Sequence, residues 1–156
     1  MGVLMIQFYF LSILLNLMTG SVLLYSSANL DGDSDLESEK KSSFIKSLFE
    51  KIFGSSGILE DSLFILVVAF LSFFTGIIKL FFPVNKIIIF GDLLPSLTGI
   101  LGGLSLLFSY YSEKSDVAFQ LPSFLEKIFV SEKNIFGILS IIIAILHFIL
   151  PGVLFL

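Results

Sequence analysis

Three ionisable residues lie in or next to long apolar stretches of this sequence, namely Lys79, Asp92 and His147. Ionisable side chains within a membrane are costly to bury, so they mark a functional site by default. Histidine exchanges protons near neutral pH, so His147 could relay them, whereas Lys79 lies near a helix end and could reach the lipid headgroups. The alternative is that both are hydrogen-bonded packing residues. We expect the three side chains to form one polar cluster.

Other kinds of chemistry lack the residues that they need. The sequence contains no Arg and no Cys, which argues against nucleic-acid recognition, disulfides and thiolate metal sites. A single His with one carboxylate does not form a zinc site. The acidic stretch 31–39 resembles a calcium loop, but Leu36 and Ser42 replace the required Gly and Glu. We therefore expect no metal, no cofactor and no nucleic-acid partner, and a flexible acidic loop at about 27–42.

The composition predicts an integral membrane protein. Hydrophobic residues make up 56% of the 156 residues, 19 residues are Phe, and the mean hydropathy is +1.02. A soluble domain of this size cannot bury so much apolar surface, and the exposed remainder would promote aggregation. The lipid bilayer is therefore the expected environment of the chain.

Four stretches are apolar enough to cross a bilayer as helices, which takes about 20 residues each. The first has no basic segment before it and no convincing cleavage site after it, so we expect a retained span rather than a signal peptide. Asp92 stands where it could cap the third helix. The expected spans cover residues 3–25, 62–82, 92–111 and 134–156.

This arrangement puts the loops at about 26–61 and 112–133 on the same side of the membrane. The two loops hold seven lysines, against two around the connection between the second and third spans. Because cytoplasmic loops carry the excess of cations, we expect both loops in the cytoplasm. The expected location is a bacterial-type inner (cytoplasmic) membrane.

A nine-residue segment occurs twice and predicts an internal duplication. Residues 47–55 and 123–131 are identical at six of nine positions, and each copy precedes an apolar span. With one deletion, the same register pairs Lys79 with His147. A repeated two-span unit keeps its membrane orientation, so the halves would be related by a two-fold axis along the membrane normal.

The expected fold is therefore an all-α integral membrane protein that forms a single domain over residues 1–156. Its four transmembrane helices would form two duplicated antiparallel hairpins, each with an interfacial amphipathic helix. The repeats would cover about 1–83 and 92–156.

Both copies of the repeated segment place apolar residues along one side of a helix, opposite charged and polar residues. Such helices lie in the membrane interface with their apolar side among acyl chains. They would orient the following spans or, alternatively, sense lipid or dock a partner. The apolar positions are Phe44, Leu48, Phe49, Ile52 and Phe53 in the first copy, and Phe124, Leu125, Ile128 and Phe129 in the second.

Small residues on the third span predict close helix packing. Ser96, Gly99 and Gly103 share one face, and glycines four residues apart let helix backbones approach in lipid. We expect this face to pack inside the bundle or against another subunit. The alternative is that it lines a permeation path.

Three functions remain compatible with these observations, and the first is favoured because no catalytic motif occurs. It is a non-catalytic polytopic membrane protein that serves as an accessory or scaffold subunit of a larger membrane complex. The alternative is a small proton or ion transporter or channel component that oligomerises to form a pathway. A membrane enzyme acting on lipid or quinone is the third. The expected partners are the lipid bilayer and either other membrane-protein subunits or further copies of the chain.

Overall fold

Helices account for the regular structure of the described chain. The computed structural model describes residues 2–30, 36–54, 57–81, 92–114 and 122–150. The elements are α1 (Gly2–Leu30), α2 (Leu36–Phe53), α3 (Gly57–Glu60), α4 (Ser62–Phe81), α5 (Leu93–Lys114), α6 (Ser123–Glu126) and α7 (Lys133–Ile149), with a π-helical turn (Lys127–Ser131) between α6 and α7. No strand occurs within the described ranges, so the prediction of an all-helical fold is confirmed for them.

Three of these helices are long and apolar enough to cross a membrane. The qualifying segments are Ile6–Asn29 in α1, Ser62–Phe81 and Leu93–Ser112 in α5, close to the first three predicted spans. α7 has 17 residues and forms, with Ser123–Ser131, a pair of helices bent by 49°. The end of the predicted fourth span, 151–156, lies outside the described residues.

Local sequence signals set two of the helix ends. Asp92 directly precedes α5, and its carbonyl oxygen accepts a hydrogen bond from the Ser96 N–H at 3.1 Å. Pro95 occupies the first turn, where its missing N–H leaves no helical hydrogen bond unmade. α2 ends directly before Gly54, whose φ of +75° suits glycine, and the Gly54 N–H donates to the Glu50 carbonyl oxygen at 2.9 Å.

Glycines let α1 pack closely along α7 and α4 closely along α5. A Cβ added at Gly20 would lie 2.7 Å from the Gly137 carbonyl oxygen in α7. One added at Gly103 would lie 2.8 Å from the Ala69 carbonyl oxygen in α4, and one at Gly99 would lie 3.2 Å from another α4 carbonyl oxygen. Gly99 and Gly103 thus pack inside the chain. The contact between Gly20 and Gly137 was not expected from the sequence.

The buried interior of the bundle contains both apolar and polar side chains. Val22, Leu23 and Leu106 form a buried layer across α1 and α5. Small polar side chains are buried on the side of this layer that faces the start of α1. They are Ser12, Asn16, Thr19, Ser72, Thr75, Ser96 and Ser140.

The acidic segment at about 27–42 is more ordered than the sequence predicted. α1 continues to Leu30 and α2 begins at Leu36, so helix covers both ends of the expected flexible loop; residues 31–35 lie outside the described residues. α2 packs on the end of α1, where the Ser42 hydroxyl donates to the Ala28 carbonyl oxygen. These tertiary contacts favour helix despite the acidic composition.

The apolar stripe on α2 is split between two environments. Phe49 is only 6% exposed and meets the Tyr25 ring in a T-shaped contact with centroids 6.3 Å apart. Phe44 and Ile52 are 68% and 63% exposed, and Leu48 is also exposed. The expectation that the whole stripe faces acyl chains is therefore wrong for Phe49, because α2 rests on α1.

The second copy of the repeated segment forms α6 and the π-helical turn. Phe124 is exposed, whereas Leu125, Ile128 and Phe129 are half-buried. The Ser105 hydroxyl donates to the Phe129 carbonyl oxygen at 2.5 Å, which satisfies one carbonyl in the interrupted helix.

We expect Gly20→Ala and Gly103→Ala each to lower the free energy of unfolding by about 1–3 kcal/mol, because the added methyl group would meet backbone atoms. Thermal unfolding in lipid nanodiscs measures this loss. Gly57→Ala is the matched control, because a Cβ at Gly57 would have no atom within 4 Å. Equal stability of all three variants would contradict the close packing.

Candidate functional site

The three ionisable residues meet at one end of the helix bundle. Lys79 lies in the last turn of α4, His147 lies in the last turn of α7, and Asp92 precedes α5. Their exposed fractions are 1%, 0% and 2%, respectively. The structure therefore brings the three predicted site residues together in a buried position. We name Lys79, Asp92 and His147 the ionisable cluster.

The distances within the ionisable cluster define a compact network around the Lys79 ammonium. Lys79 Nζ lies 2.5 Å from His147 Nε2 and 3.5 Å from Asp92 Oδ1. It also donates to Ser12 Oγ at 3.3 Å. His147 Nε2 lies 3.7 Å from the same Asp92 oxygen. An ammonium carries three N–H donors, and three acceptors surround this one.

The short contact between Lys79 and His147 restricts the protonation states of the two side chains. Two nitrogens at 2.5 Å cannot both present N–H groups to each other, so one must offer a lone pair. A charged Lys79 that donates to a neutral His147 meets this requirement and also faces the Asp92 carboxylate. In that state the ionisable cluster carries one positive and one negative charge, which offset each other inside the bundle.

Tyr9 also contacts His147. Its hydroxyl donates to the His147 carbonyl oxygen at 2.5 Å, and the two ring centroids are 4.6 Å apart. Lys79 Nζ lies 5.4 Å from the Tyr9 ring centroid, within the range of a cation–π interaction. Neither Tyr9 nor Ser12 is marked as a site residue by its sequence context, because single aromatic and hydroxyl residues are common in apolar helices.

Ser96 and Asn16 hold the start of α5 in place. The Ser96 hydroxyl donates to the Asp92 carbonyl oxygen at 2.7 Å. The Asn16 side-chain amide donates from α1 to the Pro95 carbonyl oxygen at 3.1 Å. Ser96, predicted as a packing residue, is fully buried and lies directly beside the ionisable cluster. Both contacts position Asp92 relative to Lys79.

A second buried lysine lies at the opposite end of the bundle. Lys133 begins α7, is 1% exposed, and donates to Ser26 Oγ at 2.6 Å. Nearby on the chain, the Tyr25 hydroxyl donates to Glu60 Oε1 at 2.8 Å. Lys133 stands at the end of the predicted loop 112–133, and nothing in the sequence indicates its burial.

The ionisable cluster offers one imidazole and one carboxylate as ligands. Among the residues that the structure describes, no three His, Cys, Asp or Glu side chains lie close enough to hold a metal ion. The arrangement can hold a charge pair and pass a proton between Lys79 and His147.

The fold and the site define an all-helical protein with membrane-length apolar helices and a buried ionisable cluster. A family model matches residues 5–147, so the chain belongs to that family, whose function is unknown. The match includes the whole ionisable cluster and Tyr9. No curated protein and no solved structure matches the chain.

We expect Asp92→Asn to lower the free energy of unfolding by about 3–5 kcal/mol, because it leaves Lys79 buried without its carboxylate. The double variant Lys79→Met, Asp92→Asn should recover much of this loss, since no buried charge then lacks a partner. Thermal unfolding of the two single variants and the double variant in nanodiscs measures the coupling free energy between Lys79 and Asp92.

Lys51→Met on α2 is the control for loss of a lysine, because Lys51 is exposed and should change stability by no more than about 0.5 kcal/mol. Strictly additive effects of the two substitutions in the ionisable cluster would show that Lys79 and Asp92 do not act as a pair.

Proposed function

We propose that this chain is a non-catalytic integral membrane protein that serves as an accessory or scaffold subunit of a larger membrane complex. The observation that carries the proposal is the closure of the ionisable cluster. Its charges are satisfied by each other inside the bundle, and its three residues are at most 2% exposed. A cluster so arranged stabilises a fixed arrangement of helices and presents no open reaction site.

The buried apolar layer favours a scaffold over a conducting pathway. Small polar side chains continue from the ionisable cluster into the bundle, and they are followed by the buried apolar residues Val22, Leu23 and Leu106. Beyond this layer, Lys133 and Ser26 form a separate polar contact. A proton or ion crossing a single chain would have to pass these fully buried apolar side chains.

The outer faces of α4 and α7 supply surface for lipid and for protein partners. Both helices expose large apolar residues along their length, and such a surface would promote aggregation of a soluble protein. On α4 they are Leu63, Val67, Phe70, Leu71, Phe74, Ile78 and Phe81; on α7 they are Ile135, Ile138, Leu139, Ile142, Ile145, Leu146, Phe148 and Ile149. The proposal assigns part of this surface to other membrane-protein subunits or further copies of the chain, and the rest to acyl chains.

Four spans and an internal duplication form part of the proposal. The fourth span would contain α7, with the bend of 49° where the chain enters it. The duplication is supported by equivalent contacts in the two halves. In the register that pairs Leu23 with Leu106, Gly20 corresponds to Gly103. Their close neighbours, Gly137 and Ala69, correspond in the register that pairs Lys79 with His147.

The pattern of helix packing further supports a two-fold relation. The closest pairs are α1 with α7 and α4 with α5, while α1–α4 and α5–α7 are looser, and the two members of each set resemble each other. A two-fold axis that exchanges α1 with α5 and α4 with α7 would produce this pattern.

An interfacial position of α2 also belongs to the proposal, together with cytoplasmic placement of the segments 26–61 and 112–133 in a bacterial-type inner membrane. The exposed residues Phe44, Leu48 and Ile52 follow a spacing of four, so they lie along one side of α2. Insertion of this side among acyl chains would hold α2 parallel to the membrane surface.

Crosslinking in native membranes followed by mild solubilisation tests the scaffold function. We expect a partner membrane protein, or a second copy of the chain, to be recovered at stoichiometric ratio. Substitution of Phe70 and Phe74 by Ala should weaken recovery, whereas Lys51→Met, on a different surface, should not.

Recovery of the chain as a monomer only would contradict the scaffold function. The transporter alternative would then gain support if purified protein in liposomes carried proton flux that His147→Ala abolished.

Nitroxide labels test the interfacial position of α2. We expect a label at position 44 to be quenched by a lipid-soluble relaxation agent, and a label at Ser47, an exposed residue on the polar side, to be quenched by a water-soluble one. Equal quenching at both positions by the water-soluble agent would remove the interfacial assignment.

A further inference from the structure

The contact between Lys79 and His147 exists only while one of the two nitrogens offers a lone pair. Lys79 Nζ and His147 Nε2 are 2.5 Å apart, and a charged ammonium that donates to a neutral imidazole satisfies this geometry. Histidine is the side chain that takes up a proton near neutral pH. Once a proton is bound at Nε2, both nitrogens present N–H groups, and repulsion between two cations replaces the hydrogen bond. Proton uptake by His147 therefore removes this contact.

Asp92 is placed to become the new partner of a protonated His147. Asp92 Oδ1 lies 3.5 Å from Lys79 Nζ and 3.7 Å from His147 Nε2. A carboxylate accepts several hydrogen bonds, so Asp92 can pair with two cations at once. Lys79 also keeps Ser12 Oγ as an acceptor at 3.3 Å. The protonated cluster thus has a bonded arrangement of its own, in which both cations face the carboxylate instead of each other.

The burial of the ionisable cluster links this exchange of partners to the helices. Lys79 and His147 lie in the last turns of α4 and α7, and both side chains are at most 1% exposed. Protein interiors are closely packed, so two buried cations have little room to move apart while the surrounding helices stay in place. Separation of the two side chains therefore requires movement of the helix ends that carry them.

We propose that the ionisable cluster is a proton-operated switch, in which one proton bound at His147 Nε2 breaks the contact with Lys79 and separates the ends of α4 and α7. The proton raises the net charge of the cluster from zero to one, and its release restores the contact. Each helix packed around His147 supplies one titratable or charged group. They are Tyr9 from α1, whose phenol is uncharged below about pH 10, Lys79 from α4 and Asp92 before α5.

The switch goes beyond the scaffold function and does not rest on it. Phe81 and Phe148 are each 61% exposed at the same ends of α4 and α7, so separation of these ends changes the outer surface of the bundle. The switch is measured on the isolated chain. A chain that recovers no partner from native membranes can therefore still show it, and the two proposals fail separately.

Thermal unfolding of the full-length chain in nanodiscs, between about pH 8 and about pH 5, tests the switch. His147 is the only histidine and the sequence contains no Cys, so His147 is the one side chain that ordinarily titrates in this range. We expect the Tm to fall by roughly 3–6 °C as the pH drops through about 6.5, because the closed arrangement requires a neutral His147.

His147→Gln is the matched variant for this measurement. Its amide oxygen can accept from Lys79 but takes up no proton, so its Tm should stay constant over the same range. A constant Tm in the unsubstituted chain, or an equal fall in His147→Gln, would overturn the proposal.

Lys79→Met should reverse the sign of the pH dependence. Without the ammonium, Asp92 is a buried carboxylate whose nearest cation is a protonated His147. Proton uptake then forms an ion pair instead of disrupting one, so the Tm should rise as the pH falls. A Tm that falls with pH as in the unsubstituted chain would show that repulsion from Lys79 is not the cause.

Distances between spin labels test the movement of the helix ends without any change in the cluster. Because the sequence contains no Cys, Phe81→Cys with Phe148→Cys gives one defined label pair, and Leu63→Cys with Ile135→Cys gives a control pair at the other ends of α4 and α7. All four native side chains are exposed. We expect the first distance to lengthen by roughly 1–2 Å between about pH 8 and about pH 5, and the second to stay constant.

The NMR signals of the single histidine ring report its protonation state under the same conditions. An unchanged first distance with His147 protonated would overturn the proposal, as would a ring that stays neutral down to about pH 5.

Discussion

The structure depends above all on the need to bury a lysine and a carboxylate together in an apolar bundle. A lone ion in such surroundings costs several kcal/mol, and only close pairing with further hydrogen bonds offsets the cost. Lys79 and Asp92 belong to different helices, so α4 must end at the depth at which α5 begins. His147 adds the same requirement for the end of α7. One electrostatic constraint therefore fixes the relative height of three helices.

Close backbone packing holds that arrangement along the rest of the bundle. The glycine contacts between α1 and α7 and between α4 and α5 leave little freedom for the helices to slide, because a shift would bring side chains against the opposite backbone. In lipid, where apolar surface gives little drive for helices to associate, such contacts and interhelical hydrogen bonds are the main sources of stability. The closed ionisable cluster and the close packing thus both restrict the relative positions of the helices.

Much of the fold and the core of the site could be predicted from the sequence. Long apolar stretches indicate membrane-length helices. Ionisable residues are rare within them, so Lys79 and His147 could be predicted as site residues. Tyr9 and Ser12 gave no comparable signal, because single aromatic and hydroxyl residues are common in apolar helices. Local composition was misleading at residues 36–42, where docking of α2 on α1 favours helix over an acidic loop. The roles of Tyr9 and Ser12 and the helix at residues 36–42 depend on tertiary contacts. Such contacts join residues that are far apart in the chain, so local sequence patterns do not reveal them.

The proposed duplication gives a physical reason for the two kinds of pair within the site. In the register that matches Leu23 with Leu106, Asp92 corresponds to Tyr9, just as Lys79 corresponds to His147. Each pair therefore joins one residue from each half: Lys79 with Asp92 is the charged pair, and Tyr9 with His147 is the neutral pair. Two lysines could not approach to 2.5 Å with both carrying charge, whereas a histidine supplies the lone pair that the ammonium needs. Divergence at equivalent positions thus allows the two halves to meet at their most polar point with a single charge pair to bury.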